Sequence, residues 1–268
     1  MAELRNAHAG GHAEVTSEIQ SVPPQAPAVV EETKGPFQRI IGALFAPDQT
    51  FRDIARRPDI IVPLVLILAI STLTSFLVAP RLQFDSVREQ ITRSNPHMAA
   101  EDVDRAMRFT SAISKVSTYA APFLTLALFA IVAGVLLIAF RLFGGEGNFK
   151  QALSVVLYAW LPRVIYGIIL TIVVLAKGSV DVGAIPMVVR SNLSFLVDLK
   201  AQPVLFSLLS SLDVFTIWTI VLLIIGFAFV SGMTRARSAA IIVTLWAFAL
   251  IIKLGIAALG ASRMKAAS

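Results

Sequence analysis

The sequence predicts an all-α integral membrane protein, built as a five-transmembrane-helix bundle. Amphipathic surface helices precede the first span, and a helical loop joins spans one and two. Two observations predict this class. The chain is 56% hydrophobic and only 15% charged, with a mean hydropathy of +0.78, whereas soluble domains carry about 25% charged residues. Its apolar stretches also reach the roughly 20 residues that cross about 30 Å of hydrocarbon. The five stretches are approximately residues 60–79, 118–140, 152–176, 204–230 and 239–260.

Two short segments precede this membrane domain of residues 59–260. Residues 1–35 have the composition of a disordered tail. Residues 36–58 predict two amphipathic helices, because an apolar stripe repeats at helical spacing until Pro47 and three arginines then precede Pro58. Neither helix is long enough to span. The candidate membrane-surface residues are Phe37, Ile40, Ile41, Leu44, Phe45, Arg52, Arg56 and Arg57.

The placement of residues 36–58 has two interpretations. The helices could lie at the membrane surface, with the apolar face in the acyl boundary and the arginines at the headgroups. They could equally pack on the protein's own membrane helices. Residues 261–268 after the last span are predicted to form a short tail.

The formal net charge of +6 does not indicate nucleic-acid binding. The basic residues flank apolar segments and do not form one stripe, a distribution typical of membrane orientation and of contact with anionic lipids. Residues 34–59, 141–151 and 231–238 together hold nine Lys or Arg, with a cluster beside the first span, whereas the eleven on the other side are spread over a much longer stretch. This density predicts a cytoplasmic N-terminus.

Three charged residues fall inside predicted spans: Arg163, Asp213 and Lys253. A charge at the centre of a spanning helix costs roughly 2.5–3.5 kcal/mol on insertion scales. We therefore expect the three to meet in an intramembrane polar cluster. The cluster could be a site for a proton, an ion or a lipid headgroup. It could also be a structural ion pair that fixes helix register, with Lys253 extending toward the interface.

The sequence predicts no catalytic, cofactor-binding or metal site. There are no cysteines, and the three histidines (His8, His12 and His97) lie outside the predicted spans. An intramembrane serine protease needs a histidine base, an aspartyl protease needs two acids, and a zinc protease needs a paired-histidine motif. Each of these enzyme classes therefore lacks a required residue here.

Three stretches together resemble the Yip family of multi-pass membrane proteins, in its bacterial branch. They are LFAPDQTFRDIARRPDIIVPL (44–64), FRLFGGEGNFKQALSVVLYAWLP (140–162) and SLDVFTIWTIVLLIIGF (211–227). The resemblance runs from about Phe37 to Leu259. It implies five membrane helices, a cytosolic N-terminus and the inner (plasma) membrane of a bacterium. It supplies no catalytic residues.

The function expected from these observations is non-enzymatic: a scaffold or adaptor, or a lipid-organising protein. Its expected partners are the lipid bilayer, anionic lipid headgroups or another membrane protein, and no cofactor is expected. The alternative is a small transporter or channel-like protein that uses Arg163, Asp213 and Lys253. The sequence does not specify an oligomeric state.

Overall fold

A computed structural model describes residues 35–199 and 201–266 of the chain. It is 82% helical. The predicted tail of residues 1–35 lies outside the described residues except for Gly35. Two short helices come first, α1 (Pro36–Phe45) and α2 (Pro47–Arg56). Each begins with a proline in its first turn, where the missing N–H costs no intrahelical hydrogen bond.

Five candidate membrane spans follow, which confirms the predicted all-α five-span bundle. The first is α3 (Ile61–Val78), and the second lies within the 43-residue helix α5 (Ala100–Leu142). The third is formed jointly by α6 (Phe149–Ala159) and α7 (Leu161–Lys177). The fourth is α10 (Val214–Ser231) and the fifth lies within α11 (Arg235–Ala266).

The remaining elements join α3 to α5 and α7 to α10. They are α4 (Asp85–Ser94), α8 (Ile185–Val188), α9 (Pro203–Ser211) and three 3-10 turns at 79–81, 182–184 and 194–196. Two short strands, β1 (Leu82–Gln83) and β2 (Val180–Asp181), pair in parallel and connect the two loops. Burial opposes ionisation of Asp181, but hydrogen bonds from Ser86 and Gly183 outweigh it and lower the pKa of that carboxyl below its usual value.

Helix α6 lies at the centre of the bundle. Every residue from 152 to 159 is buried, and the surrounding helices α2, α3, α5 and α10 all pack against it. Aromatic side chains fill the core, with Phe140 stacked on Phe227 at 4.7 Å between ring centroids and Phe129 edge-on to Trp160 at 5.3 Å. A helix buried on all sides is mostly apolar, and the two polar side-chain groups of this segment, Ser154 Oγ and the Tyr158 hydroxyl, are both hydrogen-bonded.

At Gly226 helix α10 packs closely on α6 and α2. A Cβ at this position would collide with Val155 Cγ1 and lie 2.9 Å from the Phe51 ring. Only glycine therefore lets these three helices meet. The α5–α6 turn uses Gly147 at φ 109°, and α6 then begins with a capping box between Asn148 and Gln151.

Helix boundaries differ from the sequence-based ones in three places. The segment predicted over 204–230 is two helices, α9 and α10, because Asp213 caps the second. The segment 152–176 is divided at Trp160, which puts Pro162 in the first turn of α7. Helix α11 continues to Ala266, beyond the expected end at 260. Helix α5 contains the loop helix and the second span without a break.

Candidate functional site

Polar side chains gather at two opposite ends of the bundle. We call them the hairpin end, which holds α1, α2 and the α5–α6 and α10–α11 turns, and the cavity end, at the start of α10. Asp213 and Ser231 bracket α10, 18 residues apart. At about 1.5 Å per residue the two ends are therefore separated by about 27 Å.

A buried ion pair joins α1 to α2 at the hairpin end. Arg39 is only 7% exposed; its Nε donates to Asp53 Oδ2 at 2.8 Å, and its Nη1 donates to the Arg57 carbonyl at 3.1 Å. This short, charge-assisted contact satisfies a cation that would otherwise be stranded away from water. The pair fixes the angle of the α1–α2 hairpin.

Helix α2 is fixed in turn to the bundle. Phe51 and Ile54 are fully buried in the core cluster. The Arg52 guanidinium lies over the Phe229 ring at 5.5 Å, and Arg235 at the start of α11 pairs with Asp48. Of the two interpretations of residues 36–58, packing on the protein's own helices therefore describes α2.

A line of hydrogen bonds continues from α2 to α6. Gln151 Nε2 donates to the Ala55 carbonyl at 2.7 Å, and Ser154 Oγ donates to the Asp59 carbonyl at 2.7 Å. Tyr158 O–H donates to Asp59 Oδ2 at 3.3 Å. These bonds satisfy carbonyl groups that would be costly to leave unpaired beside hydrocarbon.

The apolar stripe of α1 is divided between two environments. Ile40 and Leu44 pack against the core, whereas Phe37, Ile41 and Phe45 are 76%, 61% and 77% exposed. The exposed three recur at intervals of four residues, so they form one outward row. The predicted basic residues Arg52, Arg56 and Arg57 are exposed on the neighbouring helix and its C-terminus.

The three charges predicted to meet line one cavity at the other end. Its volume is about 240 Å³. Arg163 Nη1 lies 3.4 Å from Asp213 Oδ2, and Lys253 Nζ donates to Ser211 Oγ at 2.6 Å. The lining residues are Arg163, Ser210, Ser211, Asp213, Thr216, Trp246, Ala249, Leu250 and Lys253.

Asp213 is the N-cap of α10 and does not lie within the spanning helix, contrary to the sequence-based assignment. Its carboxylate accepts from the Thr216 N–H at 3.0 Å and from the Thr216 hydroxyl. Lys253 follows Arg235, the first residue of α11, by 18 residues, or about 27 Å. Both charges therefore lie near the boundary of a hydrocarbon layer about 30 Å thick.

Sequence reasoning missed the hairpin-end polar residues Arg39, Asp53, Asp59 and Tyr158. Hydropathy treats Arg39 as one more base beside the first span, although it is buried. Two acids, Asp53 and Asp59, lie within this basic segment, whose apolar residues are spaced along one helical face. That pattern could have indicated that Arg39 has a partner.

No group of three or more His, Cys, Asp or Glu side chains suited to a metal occurs among the described residues. His8 and His12 lie outside that part of the chain. The polar groups at the hairpin end pair mainly with each other and with backbone carbonyls. Those at the cavity end surround open space.

Five apolar spans, the third of which includes the buried central helix α6, and a hairpin fixed at one end define a multi-pass membrane protein. The chain belongs to the Yip1 domain family, whose model matches residues 41–257. Proteins of this family are not known enzymes. Neither a curated protein nor a solved structure matches the chain.

Proposed function

We propose that the protein is a non-enzymatic scaffold that organises lipid at the hairpin end of the bundle, with α1 as its lipid-contacting element. The observation that carries this proposal is the outward row of Phe37, Ile41 and Phe45 on a helix whose opposite face is held by Arg39. A ten-residue helix is about 15 Å long and cannot span, so an apolar row of this kind fits the acyl boundary.

Charge supports the same placement. Exposed Arg56 and Arg57 lie at the C-terminal end of α2, and exposed Lys150 lies in the first turn of α6 at the same end of the bundle. Basic residues near a membrane surface each contribute about 1 kcal/mol of attraction to anionic lipid. We therefore place the hairpin end on the cytoplasmic side of a bacterial inner membrane, where the anionic leaflet and the high density of basic residues coincide.

Single-cysteine labelling tests the position of α1, because the chain has no native cysteine. Spin labels at Phe37→Cys, Ile41→Cys and Phe45→Cys should be accessible to oxygen and shielded from a water-soluble relaxation agent in proteoliposomes. The control is Glu146→Cys, an exposed polar position in the α5–α6 turn at the same end of the bundle. Equal accessibility to the aqueous agent at positions 41, 45 and 146 would refute lipid contact by α1.

A second experiment tests lipid organisation itself. Spin-labelled phosphatidylglycerol should be immobilised by the protein in preference to phosphatidylcholine, and this preference should weaken in high salt. Arg56→Gln with Arg57→Gln should reduce the preference. Arg105→Gln with Arg108→Gln, which removes the same charge near the start of α5, should not. Identical lipid selectivity in the two double variants would contradict the proposal.

A transporter or channel is the second candidate, favoured by the cavity that Arg163, Asp213 and Lys253 line. Against it, Leu222 and Phe227, which follow the cavity residues along α10 toward the hairpin end, are buried in the packed core. The cavity is thus open at one end and backed by packed side chains. Ion or proton flux into proteoliposomes that falls in Asp213→Asn would favour transport over scaffolding.

A further inference from the structure

The cavity at the start of α10 holds more positive charge than its single carboxylate balances. Arg163 and Lys253 contribute two positive charges, and Asp213 contributes one negative charge. Asp213 already accepts two hydrogen bonds from Thr216. Among the described residues, no carboxylate lies within ion-pair distance of Lys253, whose ammonium group donates to Ser211 instead. The formal excess of one positive charge favours an anion.

The contact between Arg163 and Asp213 leaves N–H donors of the arginine available for another ligand. At 3.4 Å it is longer than the roughly 2.7–2.9 Å of a strong charge-assisted hydrogen bond. A guanidinium has five N–H donors in a planar fork that suits two oxygens of one phosphate. The Arg163 side chain is 36% exposed, so a ligand can reach it.

The other lining residues fit a phosphate group attached to an apolar tail. Ala249 and Leu250 form an apolar wall. The Ser210 and Ser211 hydroxyls donate to the Ser207 carbonyl and the Thr216 hydroxyl donates to Asp213, so Arg163 and Lys253 are the groups that would donate to a phosphate. A cavity of about 240 Å³ has room for roughly eight waters at about 30 Å³ each, which is enough for a phosphate and part of its hydration shell.

The depth of the cavity matches the headgroup level. Asp213 and Lys253 both lie about 27 Å from the hairpin end, close to the full hydrocarbon thickness of about 30 Å. We propose that this cavity binds a phosphate-bearing anion, through Arg163 and Lys253, in the leaflet opposite the hairpin.

Two sources could supply this anion: the phosphodiester of a lipid headgroup or free phosphate. The inference is independent of the lipid contact proposed for α1, because it concerns the other end of the bundle. Titration calorimetry on the purified full-length protein in a non-ionic detergent distinguishes the sources. The probes are dihexanoyl phosphatidylglycerol, inorganic phosphate and, as an uncharged control, dihexanoylglycerol.

Lys253→Gln should weaken binding of the phosphate-bearing probe roughly tenfold or more in Kd, because one charge-assisted contact is lost. Lys253→Arg keeps the charge and should retain binding. Lys177→Gln, an exposed base at the end of α7, is the matched control and should leave Kd unchanged. Thermal unfolding of each variant in the absence of probe shows that it is folded.

Binding of phosphatidylglycerol without binding of inorganic phosphate would assign the cavity to a lipid headgroup. Binding of inorganic phosphate alone, abolished by Lys253→Gln, would assign it to a soluble anion. The proposal is overturned if neither phosphate probe binds. It is also overturned if dihexanoylglycerol binds as tightly as the phospholipid, or if folded Lys253→Gln and Lys177→Gln have the same Kd.

Discussion

The hairpin end and the cavity end of the bundle use similar charged residues with different geometry. At the hairpin end Arg39 meets Asp53 at 2.8 Å and is almost fully buried. At the cavity end Arg163 lies 3.4 Å from Asp213 and is partly exposed beside open volume. A short buried ion pair holds helices together, whereas a long, accessible ion pair leaves N–H donors available for a ligand. This difference is the basis for the proposed structural role of the hairpin pair and the proposed binding role of the cavity pair.

The hydrophobic surroundings reinforce this contrast. Around the hairpin, Phe51 and Ile54 are fully buried, and Gly226 allows α10 to approach them. Around the cavity, α9 and α10 are separate helices that leave the Ser211–Asp213 segment free to present polar groups. The tightly packed end of α10 and its water-accessible polar end are thus about 27 Å apart.

The largest expected effect is at the buried pair of the hairpin. Asp53→Ala should lower the free energy of unfolding by about 3–5 kcal/mol, because Arg39 would remain buried without a counter-charge. Unfolding by sodium dodecyl sulfate in mixed micelles measures it. Arg93→Ala, which breaks an exposed ion pair of α4 with Glu89, is the control and should cost about 1 kcal/mol or less. A loss at Asp53 no larger than the control would show that the hairpin pair is not structural.

Gly226→Ala is expected to have the next largest effect. The added Cβ would collide with Val155 and with Phe51 of α2, so overpacking should cost about 1–3 kcal/mol despite the better helix propensity of alanine. The same unfolding assay measures this cost. Gly167→Ala in α7, where a Cβ meets nothing within 4 Å, should be neutral or stabilising. Equal stability of the two variants would mean that the close approach of α10 is not required.

Asp213→Ala should have a smaller effect than Asp53→Ala. Loss of a helix N-cap costs about 0.5–2 kcal/mol, and the long contact to Arg163 adds little because that arginine remains accessible to water. Asp213→Asn should recover most of the loss, since asparagine also caps helices well. A loss of 3 kcal/mol or more in Asp213→Ala would instead indicate that the cavity pair is as structural as the hairpin pair.

Much of the fold was predictable because hydrophobicity determines which segments enter a membrane. The five spans follow from apolar length alone, and α1 and α2 follow from apolar spacing and the position of Pro47. Hydropathy could not find the break before α10, because residues 203–211 and 214–231 are both apolar. The spacing of Asp213 and Thr216, which marks an N-cap, identifies this break.

The site was only partly predictable, for a related reason. Counting charges inside spans selected Arg163, Asp213 and Lys253, which line one cavity in the structure, but placed Asp213 within a span instead of at its boundary. The same count overlooked Arg39, because a base beside a first span is usually solvated. Arg39 is buried because the α1–α2 turn brings Asp53 next to it. That placement depends on tertiary structure, which a charge count does not describe.

The most direct test of the contrast between the two ends is a pair of double-mutant cycles measured in one unfolding assay. One cycle combines Arg39→Ala with Asp53→Ala, and the other combines Arg163→Ala with Asp213→Ala. We predict a coupling energy of about 2 kcal/mol or more for the hairpin pair and below about 1 kcal/mol for the cavity pair. Equal coupling energies, or a larger value at the cavity, would contradict the assignment of structure to the hairpin end and of binding to the cavity end.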